Sequence, residues 1–282
     1  MKNKMDTEKK KRLLISLIVI FGTIIIIATG YIVIKWWGDS NGKKRAEEVQ
    51  ASYASGLPVG TTNANGVYPL ESDVDDTGNG GANSQEPVEN MVNFEDLTKE
   101  NSDVYSWIYI PDTNISLPVL QSTDDDNFYL DHDIYKDYSF PGAIYSQSKN
   151  KKDYSDRVTV LYGHNMANGS MFANLHYYMD DNFFDTHKYI YIYTPDRKLT
   201  YQVVSAYEYD NRHILNSYDF SDNAVFGEWL DAAKNPHSLY SKVNDDVKLD
   251  LNSKMLVLST CMNSGDNRFI VQGVLVKDEK TK

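Results

Sequence analysis

The sequence predicts a mainly β domain, a closed or nearly closed barrel of about eight strands, preceded by one transmembrane helix. Three observations favour this class: an apolar run near the N terminus, a polar acidic stretch after it, and then short β-rich segments separated by turn residues. A βαβ sheet fits less well, because only two or three helical segments interrupt the strands.

Composition excludes several classes of function. The 282 residues include 28 Lys+Arg, 40 Asp+Glu and one cysteine, for a net charge of −12. An acidic chain is a poor partner for nucleic acid, because phosphate binding needs a basic surface. A single cysteine excludes a disulfide framework and any zinc or iron–sulfur site built on cysteines.

A membrane anchor is predicted near the N terminus. The run Leu13–Ile34 holds 22 residues without a charged side chain. As a helix it would extend roughly 33 Å, enough to cross the hydrocarbon layer. Basic residues precede it at positions 9–12, so the positive-inside bias predicts a cytoplasmic tail over 1–12 and a signal anchor over 13–34. A cleaved signal peptide is the alternative, although its apolar region is normally shorter.

A flexible acidic linker is predicted over residues 35–89. Residues 46–98 contain ten acids and no Lys or Arg, and much of the stretch consists of Gly, Ser, Asn and Thr. Such a segment buries too little apolar surface to offset the entropy lost on ordering. The interpretation leaves a folded domain over residues 90–282, outside the membrane.

The predicted domain begins with short helices near Phe94–Val104 and continues as strands. Alternation of side chains is clear in Tyr189–Tyr193, and the spacing in Ala224–Ala233 predicts an inserted helix before the last strands. Another short helix is predicted at Met171–Leu175. The predicted strands are Trp107–Ile110, Ile115–Leu120, Gly142–Ser146, Val158–Tyr162, Tyr189–Tyr193, Leu199–Tyr207, Met255–Thr260 and Phe269–Val276.

Cys261 is the candidate nucleophile. It ends one apolar strand, and Arg268 opens the next after a polar, turn-prone stretch. This order predicts a thiol and a guanidinium on the same rim of the barrel. A reduced cysteine outside a membrane is exposed to oxidation unless its chemistry is used. A small buried hydrophobe is the alternative for a lone cysteine.

His164 is the candidate partner of the thiol. It also follows an apolar strand, at a break marked by Gly163. An ordinary thiol needs a base or a cation beside it to react at neutral pH. His164 would serve as the base, and Arg268 would stabilise an oxyanion. The remaining histidines are interpreted as ordinary surface residues: His132, His176, His187, His213 and His237.

Together these residues resemble the signature of the sortase family. The resemblance rests on Tyr162–Met166 around His164, on Leu258–Cys261, and on the downstream Arg268. It covers roughly residues 90–277. Further segments match the pattern of class B sortases, as does the inserted helix: Trp107–Pro111, Leu117–Gln121, Phe128–Leu130 and Gly169–Phe172.

The resemblance implies a closed eight-stranded sortase barrel and a cysteine transpeptidase at the surface of a Gram-positive bacterium. Cys261 would attack the Thr carbonyl of a C-terminal sorting signal on a surface protein. His164 would protonate the leaving amine, and Arg268 would bind the substrate backbone and the oxyanion. The thioester would then pass to an amine of a peptidoglycan cross-bridge or of a pilin. Ser259 and Thr260 are secondary candidates for contacting the substrate.

No cofactor or metal is expected, because no zinc, phosphate-binding or dinucleotide motif is present. Asp124–Asp126 lacks the spacing of a calcium loop and is interpreted as a solvated turn. Two other functions remain open: a membrane-tethered adhesion or sensory domain with a structural Cys261, and a cysteine protease that passes the acyl group to water. An L,D-transpeptidase would have Ser-His-Gly-Cys at the nucleophile, which Ser259–Met262 does not match.

Overall fold

The computed structural model describes residues 2–57, 86–262 and 267–282. By its contacts the chain divides into two units, Met1–Asn41 and Gly42–Lys282. The first unit belongs to helix α1, which spans Lys2–Tyr53. Its apolar side chains are exposed; Ile26 and Ile34, for example, are 70% and 71% accessible. Within the described residues, this is the one helix long and apolar enough to cross a membrane.

In its described residues, the second unit contains four further α-helices, two 3-10 helices and nine strands. The helices are α2 Phe94–Glu100, α3 Asp181–Thr186, α4 Ile214–Ser217 and α5 Asn223–Lys234, with 3-10 helices at Phe128–Leu130 and Ala173–Met179. The strands are β1 Val104–Tyr109, β2 Ser116–Leu120, β3 Ile144–Tyr145, β4 Val158–Tyr162, β5 Tyr189–Tyr193, β6 Arg197–Tyr209, β7 Ser241–Val243, β8 Met255–Cys261 and β9 Arg268–Lys280.

Eight of the strands close into a barrel. The order is β5-β1-β2-β3-β4-β8-β9-β6, and pairing of β5 with β6 closes the circle. Strand β7 pairs with Ser205–Tyr207 of β6, beyond the segment that pairs with β5. The predicted mainly β, eight-stranded barrel with an N-terminal apolar helix is therefore confirmed. Two pairs are parallel, β2–β3 and β4–β8. The second of these brings the ends of two distant segments to the same rim.

Alternation along β8 separates the interior of the barrel from its outer face. Leu256 and Leu258 belong to the interior cluster, whereas Met255 and Val257 belong to a second cluster on the outside. Such alternation is the natural period of a strand. Helix α5 covers the outer cluster with buried residues Phe226, Trp229, Leu230 and Ala233. The inserted helix predicted at Ala224–Ala233 is thus observed as α5.

Helix α5 begins where its sequence provides a cap. The Asp222 side chain accepts hydrogen bonds from the backbone N–H groups of Ala224 and Val225, at 2.7 and 3.4 Å. A carboxylate at this position satisfies donors that the first helical turn leaves free. The insertion is therefore an ordered cover over the outer face.

The flexible linker predicted over 35–89 is wrong for its first part. Helix α1 continues to Tyr53, and Val49, Ala54 and Leu57 are buried in a third cluster with α2 and β1. Burial of these three apolar side chains offsets the entropy lost on ordering, although most of the surrounding residues are polar. Residues 58–85 of the predicted linker lie outside the described residues.

Smaller differences concern element bounds. Strand β7, Ser241–Val243, was not predicted, and β3 spans only Ile144–Tyr145. The short helix predicted at Met171–Leu175 begins later, as the 3-10 helix Ala173–Met179. The long strands β6 and β9 extend beyond the predicted ends because they pair with each other over nearly their whole length.

Candidate active site

The thiol and the guanidinium meet across a hairpin. In the antiparallel pair β8–β9, Cys261 is the register partner of Arg268. The Arg268 Nη1 donates to the Cys261 Sγ at 2.8 Å. A guanidinium stays charged at any physiological pH and so favours the thiolate form of a neighbouring sulfur. The predicted proximity of these two residues is observed, and both belong to the outer face of the barrel.

His164 reaches the same rim through the parallel pairing of β4 with β8. Tyr162 is the register partner of Ser259, and the Gly163 N–H donates to the Ser259 carbonyl at 3.2 Å. Two residues beyond this register pair, His164 follows β4 and Cys261 ends β8, so the two positions lie side by side. The Asn165 side-chain amide donates to the Cys261 carbonyl at 3.2 Å, so the two segments remain adjacent there.

The imidazole of His164 is held by a loop from the other side. Its Nε2 donates to the Leu130 carbonyl at 2.8 Å, and its ring stacks on Phe140 with centroids 5.5 Å apart. Since Nε2 carries the proton of this hydrogen bond, Nδ1 is the nitrogen left to exchange a proton with another group. The ring is thereby fixed in both orientation and tautomer.

The electrostatic surroundings disfavour the charged imidazole. Burial is the main cause that lowers the pKa of His164 below its ordinary value, and the positive charge of Arg268 lowers it further. The Leu130 hydrogen bond and the Asp131 carboxylate act in the opposite direction. The Arg268 guanidinium is therefore close enough for its charge to act on the imidazole.

Two tyrosines that were not predicted as site residues also belong to the site. Tyr145 and Tyr162 are register partners with rings 5.5 Å apart. Burial raises the pKa of Tyr145 to about 12, while the Arg268 charge acts to lower it. The Tyr162 hydroxyl is buried without a hydrogen-bond partner among residues 2–57, 86–262 and 267–282. Its position directly before Gly163-His164 was the available signal.

The two secondary candidates lie on opposite faces of β8. Ser259 shares the face of Cys261, and its backbone carbonyl holds Gly163. Thr260 is 1% exposed and alternates with them, toward the interior side of the strand. The structure thus places Ser259 on the same face of β8 as Cys261 but leaves Thr260 buried on the opposite face.

Several other expectations can be compared with the structure. His176 is not a surface residue: its ring stacks on Phe269 at 4.8 Å, and burial lowers its pKa. His213 lies near the site, donating from Nε2 to Gln147 at 2.6 Å. In the Asp124–Asp126 stretch, Asp125 accepts the Asn127 backbone N–H at 2.8 Å, as a turn residue does, and Asp126 accepts the Ser148 backbone N–H at 2.7 Å. Within the described ranges, no group of three or more His, Cys, Asp or Glu is arranged to hold a metal.

Comparison with known proteins gives the class of the molecule. Residues 108–276 match the family described as "Sortase domain". Sortase B of Listeria monocytogenes is 32% identical over 186 residues, covering 65% of this chain and 74% of the relative. The match takes in more than half of the 282 residues, so the chain belongs to the sortase family. Membership implies a transpeptidase.

Solved structures narrow the class. The X-ray structure of Clostridium perfringens sortase B has a TM-score of 0.60 and 31% identity, covering 66% of this chain and 100% of that one. A Staphylococcus aureus sortase B–substrate complex has a TM-score of 0.60 and 29% identity, covering 68% and 88%. These relatives are class B sortases, as the motifs in the sequence predicted.

Proposed function

We propose that this chain is a membrane-anchored class B sortase that joins surface proteins to a cell-wall amine. The substrate would carry a C-terminal sorting signal that is cut after Thr, and the acceptor would be a peptidoglycan cross-bridge or a pilin amine. The observation that carries the proposal is the Arg268–Cys261 contact of 2.8 Å on the outer rim of a sortase barrel. The resemblance to the sortase family further implies that the organism is a Gram-positive bacterium.

In the first half of the reaction, the Cys261 thiolate attacks the carbonyl carbon of the substrate Thr. The C–S bond forms as the carbonyl oxygen becomes an oxyanion. Arg268 stabilises this oxyanion and also hydrogen-bonds to the substrate backbone. The amide C–N bond then breaks and leaves a thioester. Splitting one difficult amide transfer into two steps is the advantage of a covalent intermediate.

His164 carries the proton between the two half-reactions. Because Nε2 is engaged by Leu130, Nδ1 takes the thiol proton of Cys261 as the thiolate forms and passes it to the leaving amine. In the second half the neutral imidazole takes a proton from the incoming amine, which attacks the thioester and releases the thiolate. Proton and charge balance over the cycle, so no cofactor is required.

The rim around Cys261 offers contacts for an extended peptide. The buried Tyr162 hydroxyl has no partner among the described residues, and a donor of this kind is satisfied when a substrate carbonyl arrives. Ser259 is the direct register partner of Tyr162 on β8. We assign these two side chains to substrate contact, and Thr260 to the packing of the interior.

The membrane topology is part of the proposal. Residues 1–12 would lie in the cytoplasm, 13–34 would span the bilayer, and the catalytic unit would face the cell wall. The basic residues before the apolar run and the length of α1 support this arrangement. Cysteine scanning with a membrane-impermeant thiol reagent, in a Cys261→Ala background, would place the domain outside if only positions after residue 34 react in intact cells.

The activity is tested with a library of sorting peptides and an added amine. The full chain should release the C-terminal part of a preferred peptide and join the remainder to the amine, while Cys261→Ala should do neither. Release without joining would favour a hydrolytic cysteine protease. Failure to process any peptide, together with an unreactive thiol, would favour a non-catalytic surface domain and overturn the proposal.

A further inference from the structure

One loop supplies both of the contacts that hold the His164 ring. Residues 128–142, here called the 128–142 loop, follow β2 and precede β3. The loop contributes the Leu130 carbonyl, which accepts from Nε2, and the Phe140 ring, which stacks on the imidazole. The orientation of His164 therefore depends on where this loop sits.

The loop is cross-linked along its own length. Backbone hydrogen bonds join Ala143 to Tyr129 at 3.0 Å, Ser139 to Asp131 at 2.8 Å, and Asp133 to Asp137 at 3.0 Å. Leu130 lies between the first two of these links. A displacement at the 133–137 tip is thus passed to the Leu130 carbonyl through the backbone, with few soft dihedrals between them.

The tip of the loop is fastened to helix α1. The Arg45 guanidinium donates to the Asp133 carboxylate through Nη1, and to Asp137 at 3.2 Å. Asp133 is 6% exposed, and its other oxygen accepts the backbone N–H groups of Tyr135 and Asp137. A buried carboxylate of this kind needs its cation, because an unpaired charge away from water is costly.

Close packing supports the same contact. A Cβ added at Gly42 would lie 2.5 Å from Pro141 Cγ, so the helix backbone rests directly on the loop. Val49, two turns further along α1, is buried in one cluster with Ile134. This part of α1 and the loop therefore pack against each other within the Gly42–Lys282 unit.

We propose that Arg45 is a positioning residue for His164, acting through the Asp133–Asp137 tip of the 128–142 loop. Arg45 touches neither the imidazole nor a substrate. Its role is to hold the Leu130 carbonyl and the Phe140 ring where they fix the tautomer and plane of the imidazole. The catalytic consequence rests on the function proposed above, whereas the effect on the histidine itself does not.

The charged groups facing His164 do not include Arg45. The pKa of His164 is lowered by Arg268 from the β8–β9 side and raised by Asp131 from the loop. Loss of Arg45 therefore acts by geometry: a loosened loop exposes the ring and weakens the Leu130 hydrogen bond. Since burial is the larger influence, the pKa of His164 should rise toward its ordinary value of about 6.5.

The experiment uses the full chain in detergent micelles with ¹³C-labelled histidine. His164→Gln identifies the His164 signal, which is then titrated in Arg45→Ala, Arg45→Lys, Asp137→Asn and Lys43→Ala. Lys43 is the matched control, because it lies on the same helix and pairs with Glu47, 3.9 Å away. We expect Arg45→Ala to raise the pKa and broaden the signal, Asp137→Asn to do so less, and Arg45→Lys to restore most of the native titration.

Transfer kinetics give a second reading. Arg45→Ala should lower kcat about ten- to a hundredfold, as a misplaced catalytic group does, with KM little changed. Lys43→Ala should match the native chain in both measurements. If Arg45→Ala leaves the His164 titration native, the inference is overturned. If the native chain transfers no peptide, the proposed function fails, while the titration series still decides whether Arg45 positions the ring.

Discussion

The Arg268 guanidinium lies 2.8 Å from the Cys261 sulfur, at the loop end of the β8–β9 hairpin. The two residues are direct register partners on the outer face, so the contact follows from strand pairing. A permanent positive charge is thus placed beside the single thiol of the chain.

The first prediction concerns the reactivity of that thiol. Arg268→Met should slow alkylation of Cys261 by iodoacetamide at neutral pH several-fold, because the thiolate loses its neighbouring charge. Peptide transfer should fall about 10²–10³-fold, the usual loss when an oxyanion donor is removed. Since the chain has one cysteine, mass spectrometry of the alkylated protein reports this site alone.

A matched control is Arg197→Met, which removes an arginine at the other end of the barrel, where it pairs with Asp278 at 3.0 Å. Its alkylation rate should equal that of the native chain. An unchanged rate in Arg268→Met would show that the contact does not activate the sulfur.

The second prediction concerns stability toward acid. Burial is the main cause that lowers the pKa of His164, His176 and His213 in the folded chain. Below the ordinary histidine pKa of about 6.5, the unfolded chain therefore binds more protons than the folded one. The free energy of unfolding should fall as the pH is lowered through this region and be constant above it.

Urea unfolding of the full chain at a series of pH values measures this dependence. His176→Gln should flatten the slope, because it removes one of the three half-buried imidazoles, whereas His237→Gln at an exposed position should leave the slope native. Equal slopes in the native chain and both variants would show that His176 does not contribute to the pH dependence of stability.

The third prediction concerns the start of the folded unit. A domain beginning at residue 90 lacks Val49, Ala54 and Leu57, which are buried against α2 and β1. Burial of a Val or Leu side chain stabilises by about 1.5–3 kcal/mol, so the loss should be about 3 kcal/mol or more. Thermal unfolding should show a lower midpoint for residues 90–282 than for residues 42–282.

Dye binding provides the check on cause, since the uncovered cluster should bind a hydrophobic fluorophore in the shorter domain only. Identical midpoints for the two domains would mean that the end of α1 contributes nothing to the stability of the barrel.

The fourth prediction separates backbone strain from displacement of a carbonyl. Gly142 has φ +58°, and an added Cβ would lie 2.4 Å from the Leu130 oxygen, the acceptor of the His164 proton. Gly169 also has positive φ, at +79°, but its nearest neighbour would be 3.5 Å away. Both alanine variants should lose roughly 1 kcal/mol of stability from the left-handed backbone.

Only Gly142→Ala should also lower kcat for peptide transfer, because it moves the group that orients the imidazole. Denaturant unfolding and steady-state kinetics on the two variants measure the two effects. Equal kcat values in both variants would indicate that the Leu130 carbonyl has no influence on catalysis.

Much of the barrel was accessible from the sequence because its strands are apolar, short and separated by turns. Cys261 and Arg268 lie near each other in the chain, so one hairpin was enough to predict their contact. His164 was found through its motif, but its partner, the Leu130 backbone carbonyl, could not be predicted. A main-chain oxygen leaves no trace in residue type, and 34 residues separate it from the ring.

The helical end of α1 was missed for a different reason. Gly38-Asp39-Ser40-Asn41-Gly42 are poor helix formers, and their composition predicted a break. In the structure, α1 continues through them, and contacts of Arg45 and Val49 with the 128–142 loop hold its later turns. Tertiary packing thus outweighed local propensity, and a single sequence does not reveal such packing.

The parallel pairing of β4 with β8 has a consequence for the order of assembly. The β8–β9 hairpin is a local structure and forms readily, whereas β4 must close a loop of nearly a hundred residues before it meets β8. The half-site of sulfur and guanidinium can therefore exist before the imidazole arrives. A folding chain that has formed only this hairpin would hold the thiol beside its guanidinium without a proton carrier until the barrel closes.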